Sequence, residues 1–188
     1  EWDILTLAGL TVHFGHLLNG AIPFQSLSFE QLYAYGTWLE KLGYANRAEE
    51  VMHYIYENKR RIHSPNTLNE LAAWCKKRQY WDQAVTLWKQ TCSNEAAAEG
   101  HRALEPNRLI QVDTFIELAK YYEHRSRNIE EALKYALQAR RQIQLRLSWS
   151  RRHPKYAKLA EEIDYRISRL KKKMPRSCHV EALTFYFD

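Results

Sequence analysis

Few side chains in this 188-residue chain are placed to do chemistry unaided. His13 and His16 lie three residues apart on a predicted helix, a spacing that suits a metal ion. No third ligand stands near them, so a surface or domain-contact role is the simpler reading. Cys75, Cys92 and Cys178 form an odd set without metal-ligand spacing. Cys75 and Cys92 fall on predicted helical faces as core thiols do, and the set fits a reducing cytoplasm better than a disulfide framework. The chain contains no glycine-rich phosphate loop, HExxH, GxSxG or paired-cysteine metal site, and a self-contained enzyme is not expected.

Side chains suited to binding are more numerous. From Arg140 to Arg176 thirteen Lys/Arg stand against three Asp/Glu, a balance of +10, whereas the remainder carries −4 of the overall +6. In this segment Arg140, Arg141, Arg146, Arg151, Arg152, Lys155 and Lys158, with Trp149 and Tyr156 among them, could contact phosphates and stack on bases of DNA or RNA. The plainer alternative is a solvated helix face, with Arg169 to Lys173 a charged C-terminus favoured by the helix dipole.

The elements that must position these residues are helical. Leu68 to Thr91 puts Leu68, Leu71, Ala72 and Cys75 on one helical face, breaks at Arg78-Gln79-Tyr80, and resumes with Ala84, Leu87, Trp88 and Thr91. Two antiparallel helices approaching at Ala72 and Ala84, with Leu71 and Trp88 filling the space beside them, account for this pattern. It is the pattern of a tetratricopeptide (TPR) repeat. A single hairpin cannot bury its own apolar face, so copies are expected beside it. Upstream, Leu32, Tyr35, Gly36, Leu39, Ala48, Met52 and Ile55 fall at the same spacings, with Gly43-Tyr44 at the turn. Downstream, Phe115, Leu118, Ala119 and Tyr122 lead to Ala132, Ala136 and Ala139, given one extra residue in the turn at 125–128. Ala48 and Ala84 are 36 residues apart, and Ala84 and Ala132 are 48 apart, so an insertion is expected at about 93–106.

In chain order, 3–18 reads as a largely buried helix ended by Asn19-Gly20. Ser28 and Gln31 form a capping box for helices at about 29–42 and 45–59. Ser64-Pro65 opens a helix to about 78, followed by one at 81–98. A third pair covers about 109–125 and 129–148. The last helix, 154–173, carries Tyr156, Leu159, Ala160, Ile163, Ile167 and Leu170 as one stripe, with a charged opposite face, as a capping helix would. The closing HVEALTFYFD is apolar with no evident cap. No run of about 18 apolar residues and no signal-peptide pattern is present, so membrane spanning and secretion are not expected and a cytoplasmic location is.

The opening EWDILTLAGL, with FEQLYAYGTWLEKLG, ELAKYYEHRSRNIEEALKYALQA and the basic RISRLKKK, resembles bacterial YprB-type proteins. Those are similar to DEDD exonucleases of ribonuclease-H-like fold followed by a TPR-like region. The resemblance covers nearly the whole chain and implies that 1–24 is the helix and connector left from an upstream ribonuclease-H-like domain. On this reading 25–174 is the TPR-like region and 175–188 a tail, and the chain is a piece of something longer. It also implies that Asp3 is one of four carboxylates holding two Mg²⁺ or Mn²⁺ ions in the parent protein. The His/Tyr and Asn that precede this Asp in the family motif are not in the chain. Asp3 alone cannot make a two-metal site, so no catalytic residue set and no cofactor is expected within the chain itself; an ordinary helix-capping acid is the alternative for Asp3.

The expectation is therefore an all-α, TPR-like right-handed helical-repeat superhelix of about three helix pairs whose function is interaction. Its inner face would include Tyr33, Thr37, Asn69, Ala73, Lys76, Lys77, Ile116 and Lys120, a mixed surface for a protein partner or for the upstream nuclease domain. The alternative is an accessory nucleic-acid-binding domain using the basic C-terminal helices.

Overall fold

A computed structural model describes residues 15–16, 19–20, 23–98, 109–149 and 154–174. Among the described residues the protein is all-α, with seven helices, two short 3-10 turns and no strand. Its contacts divide it into two compact units, Glu1–Ile62 and His63–Asp188.

The first unit is built on α1 (Phe29–Lys41) and α2 (Ala45–Glu57), packed on one another. Ser28 begins α1 as expected: its Oγ accepts from Gln31 N at 3.2 Å, and Gln31 Oε1 accepts from Ser28 N at 2.9 Å. The turn closes when Tyr44 N donates to Leu39 O and Gly43 N to Glu40 O, which requires the left-handed φ of +86° at Gly43. Leu32, Tyr35, Gly36 and Leu39 then face Ala48, Val51, Met52 and Ile55, all buried. Upstream, Gly15–His16 is helical and Asn19–Gly20 is a turn, where the sequence ends its first helix. The rest of that helix, with Asp3 and His13, lies outside the described residues.

In the second unit α3 (Pro65–Lys77) pairs with α4 (Trp81–Ala98), α5 (Leu109–His124) with α6 (Ile129–Trp149), and α7 (Pro154–Lys173) packs on α6. The α3–α4 turn repeats the first one: Tyr80 N donates to Cys75 O and Gln79 N to Lys76 O. Here a glutamine holds the left-handed position, at φ +67°, where a side chain costs about 1–2 kcal/mol. Gln79 Oε1 offsets part of that cost by accepting from Trp81 Nε1 at 2.9 Å and Arg125 Nη2 at 3.0 Å. Between α5 and α6 the turn Arg125–Asn128 is one residue longer, as the spacing predicts. Asn128 Oδ1 caps α6 by accepting from Glu131 N.

Every repeat position named for the first two pairs is buried. In the third, Leu118, Ala119, Ala132, Ala136 and Ala139 are buried, while Phe115 and Tyr122 are half-buried and stack on Tyr135. The core of α5–α7 joins Val112, Ala119, Ala132, Ala136, Ala139 and Ile143 to Ala160, Ile163, Ile167, Leu170 and Met174. The alanines let α5 and α6 approach closely, and the branched residues of α7 cover them. α4 ends at Ala98, as its expected bounds of 81–98 have it, so the first residues of the expected insertion are a helical extension built on strong helix formers, Glu95 to Ala98. Residues 99–108, 150–153 and the tail 175–188 with Cys178 lie outside the described residues.

Cys75 is fully buried, and burial pushes its thiol up to about 12, so it is a core residue rather than a nucleophile. Cys92 is half-buried on α4. Among the described residues no helix is long and apolar enough to cross a membrane.

The closest approach in the first unit yields a stability prediction. A Cβ at Gly36 would stand 2.7 Å from Met52 Cε and 3.3 Å from Val51 Cγ1. Gly36→Ala gains about 1 kcal/mol of helix propensity against that crowding and should be nearly neutral. Gly36→Leu must displace both neighbours and should lose about 2 kcal/mol, read as a lower urea midpoint; an unchanged midpoint would contradict the close packing.

Candidate functional site

The residues expected to line a groove divide between the two units. Tyr33 and Thr37 are half-buried on α1, and Thr37 Oγ1 donates to Ala34 O of its own helix. The others lie on α3 and α5, the first helices of consecutive pairs, which touch one another in the second unit. Asn69 Oδ1 accepts from the buried Thr114 Oγ1 at 2.8 Å. About two turns further along α3 and one turn further along α5, Lys76 Nζ donates to Glu117 Oε2, and Lys120 Nζ donates to Glu117 Oε1 at 2.7 Å. Lys77 and Ala73 are exposed, and Ile116 is half-buried, packed against the α5–α7 core instead of standing clear of it.

This arrangement is a polar seam. Burial alone would push the Glu117 carboxyl up, but hydrogen bonds from Lys120 and Lys76 outweigh burial and hold it below its ordinary value. Glu117 is therefore ionised at neutral pH, and two lysines against one carboxylate leave the seam with a surplus positive charge. Asn69 Nδ2 is buried and has no hydrogen-bond partner among the described residues.

The basic segment is less uniform than its composition suggests. Arg140 Nε donates to Asp164 Oδ1 at 2.6 Å across α6 and α7, so it is engaged within the fold. Arg141 and Lys158 are exposed and Arg146 and Tyr156 are half-buried. Trp149 closes α6 and Lys155 lies in the first turn of α7; Arg151 and Arg152 are outside the described residues. The sequence reading did not find Glu123. Its side chain is fully buried, and Arg166 Nη1 and Arg169 Nη2 each donate to Oε2 at 2.7 Å, while Lys173 Nζ donates to Oε1 at 3.0 Å. Positions 166, 169 and 173 share one face of α7, a periodicity visible in the sequence, but their partner lies more than forty residues upstream and only folding identifies it.

Burial alone would also raise the Glu123 carboxyl; hydrogen bonds from Arg169 and Lys173 and the charges of Arg169 and Arg166 outweigh it and hold the group below its ordinary value. Among the described residues no group of three or more His, Cys, Asp or Glu side chains is placed to hold a metal ion.

A carboxyl that titrates lower in the folded chain than in the unfolded one, about 4.3, stabilises fully above that unfolded value. Its contribution is lost as the pH falls through the folded-state value. Glu123→Gln should cost about 2–3 kcal/mol at pH 7, at the lower end for a buried charge because Arg169 and Lys173 are 36% and 47% exposed and water screens them. It should also make the loss of stability below about pH 4.3 shallower. Equal stability of wild type and variant at pH 7, or identical acid limbs, would show that the carboxylate does not anchor α7.

No protein-family model, no curated protein and no solved structure matches this chain.

Proposed function

We propose that this chain is a TPR-like helical-repeat interaction module that presents the joined faces of α3 and α5 to a protein partner. The observation that carries this reading is the seam itself. Asn69–Thr114 and Lys76–Glu117–Lys120 tie the first helices of two consecutive pairs side by side, which is how stacked helix pairs expose one continuous binding face. An unrelated bundle has no need to align the same helix of each pair. The surplus lysine charge of Lys76 and Lys120 suits an extended segment that brings acidic side chains.

The resemblance of the opening segment to YprB-type proteins supports placing this module in service of an adjoining metal-dependent exonuclease, which would hold Mg²⁺ or Mn²⁺ with carboxylates mostly outside this chain. In that setting the module positions either a partner or the nuclease domain itself. The accessory nucleic-acid reading loses Arg140, which pairs with Asp164 within the fold.

The test is quantitative capture on immobilised chain, comparing wild type with an Asn69→Ala/Lys120→Ala variant whose helicity is unchanged. The reading predicts that a specific set of captured proteins falls at least fivefold with the variant; capture equal to wild type would overturn a binding face on α3 and α5. Incubation of the same chain with labelled DNA and RNA in Mg²⁺ or Mn²⁺ should give no cleavage, and metal-dependent cleavage would overturn the view that catalysis lies outside it.

A further inference from the structure

The C-terminal half of α7 carries more positive charge than the fold uses. Arg140, Arg166, Arg169, Lys171, Lys172 and Lys173 stand against Asp164 and Glu123, six cations against two carboxylates, for a balance of +4. A helix dipole favours cations at a C-terminus, but it does not call for a buried carboxylate on another helix. Glu123 supplies one, and it fixes where Arg166, Arg169 and Lys173 stand. Its two oxygens take one donor from each, whereas a guanidinium has five N–H groups and an ammonium three.

An aromatic ring lies beside these charges. Tyr165 is 70% exposed, more than any other large apolar side chain among the described residues, and Arg169 Cζ is 6.0 Å from its ring centroid. Tyr165, Arg169 and Lys172 follow one another at four and three residues, a single stripe along the helix. Lys172 is exposed. The exposed Glu161 and Glu162, one turn earlier, bound the stripe on its acidic side.

We propose that this stripe binds single-stranded nucleic acid, Tyr165 stacking on a base while Arg169, Lys172 and Lys173 contact the neighbouring phosphates. An open ring face flanked by fixed cations suits unpaired bases. A duplex keeps its bases stacked inside, out of reach of the ring. The stripe lies on α7 and the proposed protein-binding face on α3 and α5, so neither reading depends on the other.

The experiment is a fluorescence-anisotropy titration of the 188-residue chain with labelled oligothymidylate and oligouridylate of about 15 nucleotides, repeated across salt concentrations. About three phosphate contacts predict a log–log salt slope near −2. Lys172→Ala should make that slope shallower by about 0.7, and Tyr165→Ala should weaken binding about tenfold at an unchanged slope. A duplex of the same length should bind more weakly than the single strand. The proposal is overturned by a slope near zero, by duplex binding as tight as single-strand binding, or by both variants binding as wild type. It is overturned equally if Arg141→Ala/Lys158→Ala abolishes binding that Tyr165→Ala and Lys172→Ala leave intact. Arg141, Lys158, Tyr165 and Lys172 are all exposed, so circular dichroism should show every variant folded.

Discussion

At Gly36 a single added carbon would stand 2.7 Å from Met52 Cε, and the buried alanines at 72, 84, 119, 132, 136 and 139 recur at the same places in the other two pairs. A helix pair of this size has one apolar stripe per helix and gains most from burial only when the two backbones come close. Small residues permit that approach, and the leucines, isoleucines and Trp88 beside them fill what would otherwise be voids. The turns follow from the same constraint. To bring the second helix back onto the first within three residues, the chain must pass through a left-handed residue, Gly43 in one pair and Gln79 in the next.

α5 packs beside α4, α6 and α3, and its two carboxylates determine which charged groups it holds. Glu117 faces the α3 side, taking Lys76 and Lys120, and Glu123 faces the α7 side, taking Arg166, Arg169 and Lys173. Each carboxylate is outnumbered by its cations, so each ion pair cluster both fastens a neighbouring helix and leaves positive charge at the surface. The exposure of the partners keeps the energetic contribution of the clusters moderate. Their larger consequence is positional: they fix where donors stand before any ligand arrives.

Much of this architecture was legible in the sequence because helix-pair packing is local. The buried set Leu68, Leu71, Ala72 and Cys75, the Ser28–Gln31 capping box, the Ser64-Pro65 start and the extra residue at Arg125–Asn128 all leave signatures within a few positions. The same locality carries α4 past the end of the repeat pattern to Ala98, where the sequence also ends it. Residues chosen for their surface chemistry fared differently. Lys76, Lys120 and Arg140 read as donors for a ligand, yet each meets a carboxylate of the fold, and Glu123 read as an unremarkable helix residue although it is the most deeply buried charge described. The partners of Lys76 and Glu123 lie more than forty residues away and depend on how helices are stacked, which spacing alone does not specify, whereas the Lys120 partner lies three residues away on its own helix.

The central claim is that α3 and α5, the first helices of successive pairs, stand side by side and share one polar face. A double-mutant cycle on Asn69→Ala and Thr114→Val, measured by urea unfolding of the intact chain, tests it most directly. Side-by-side helices joined by the 2.8 Å hydrogen bond predict a coupling of about 1 kcal/mol. Effects that simply add would contradict the shared face and with it the repeat reading of the second unit.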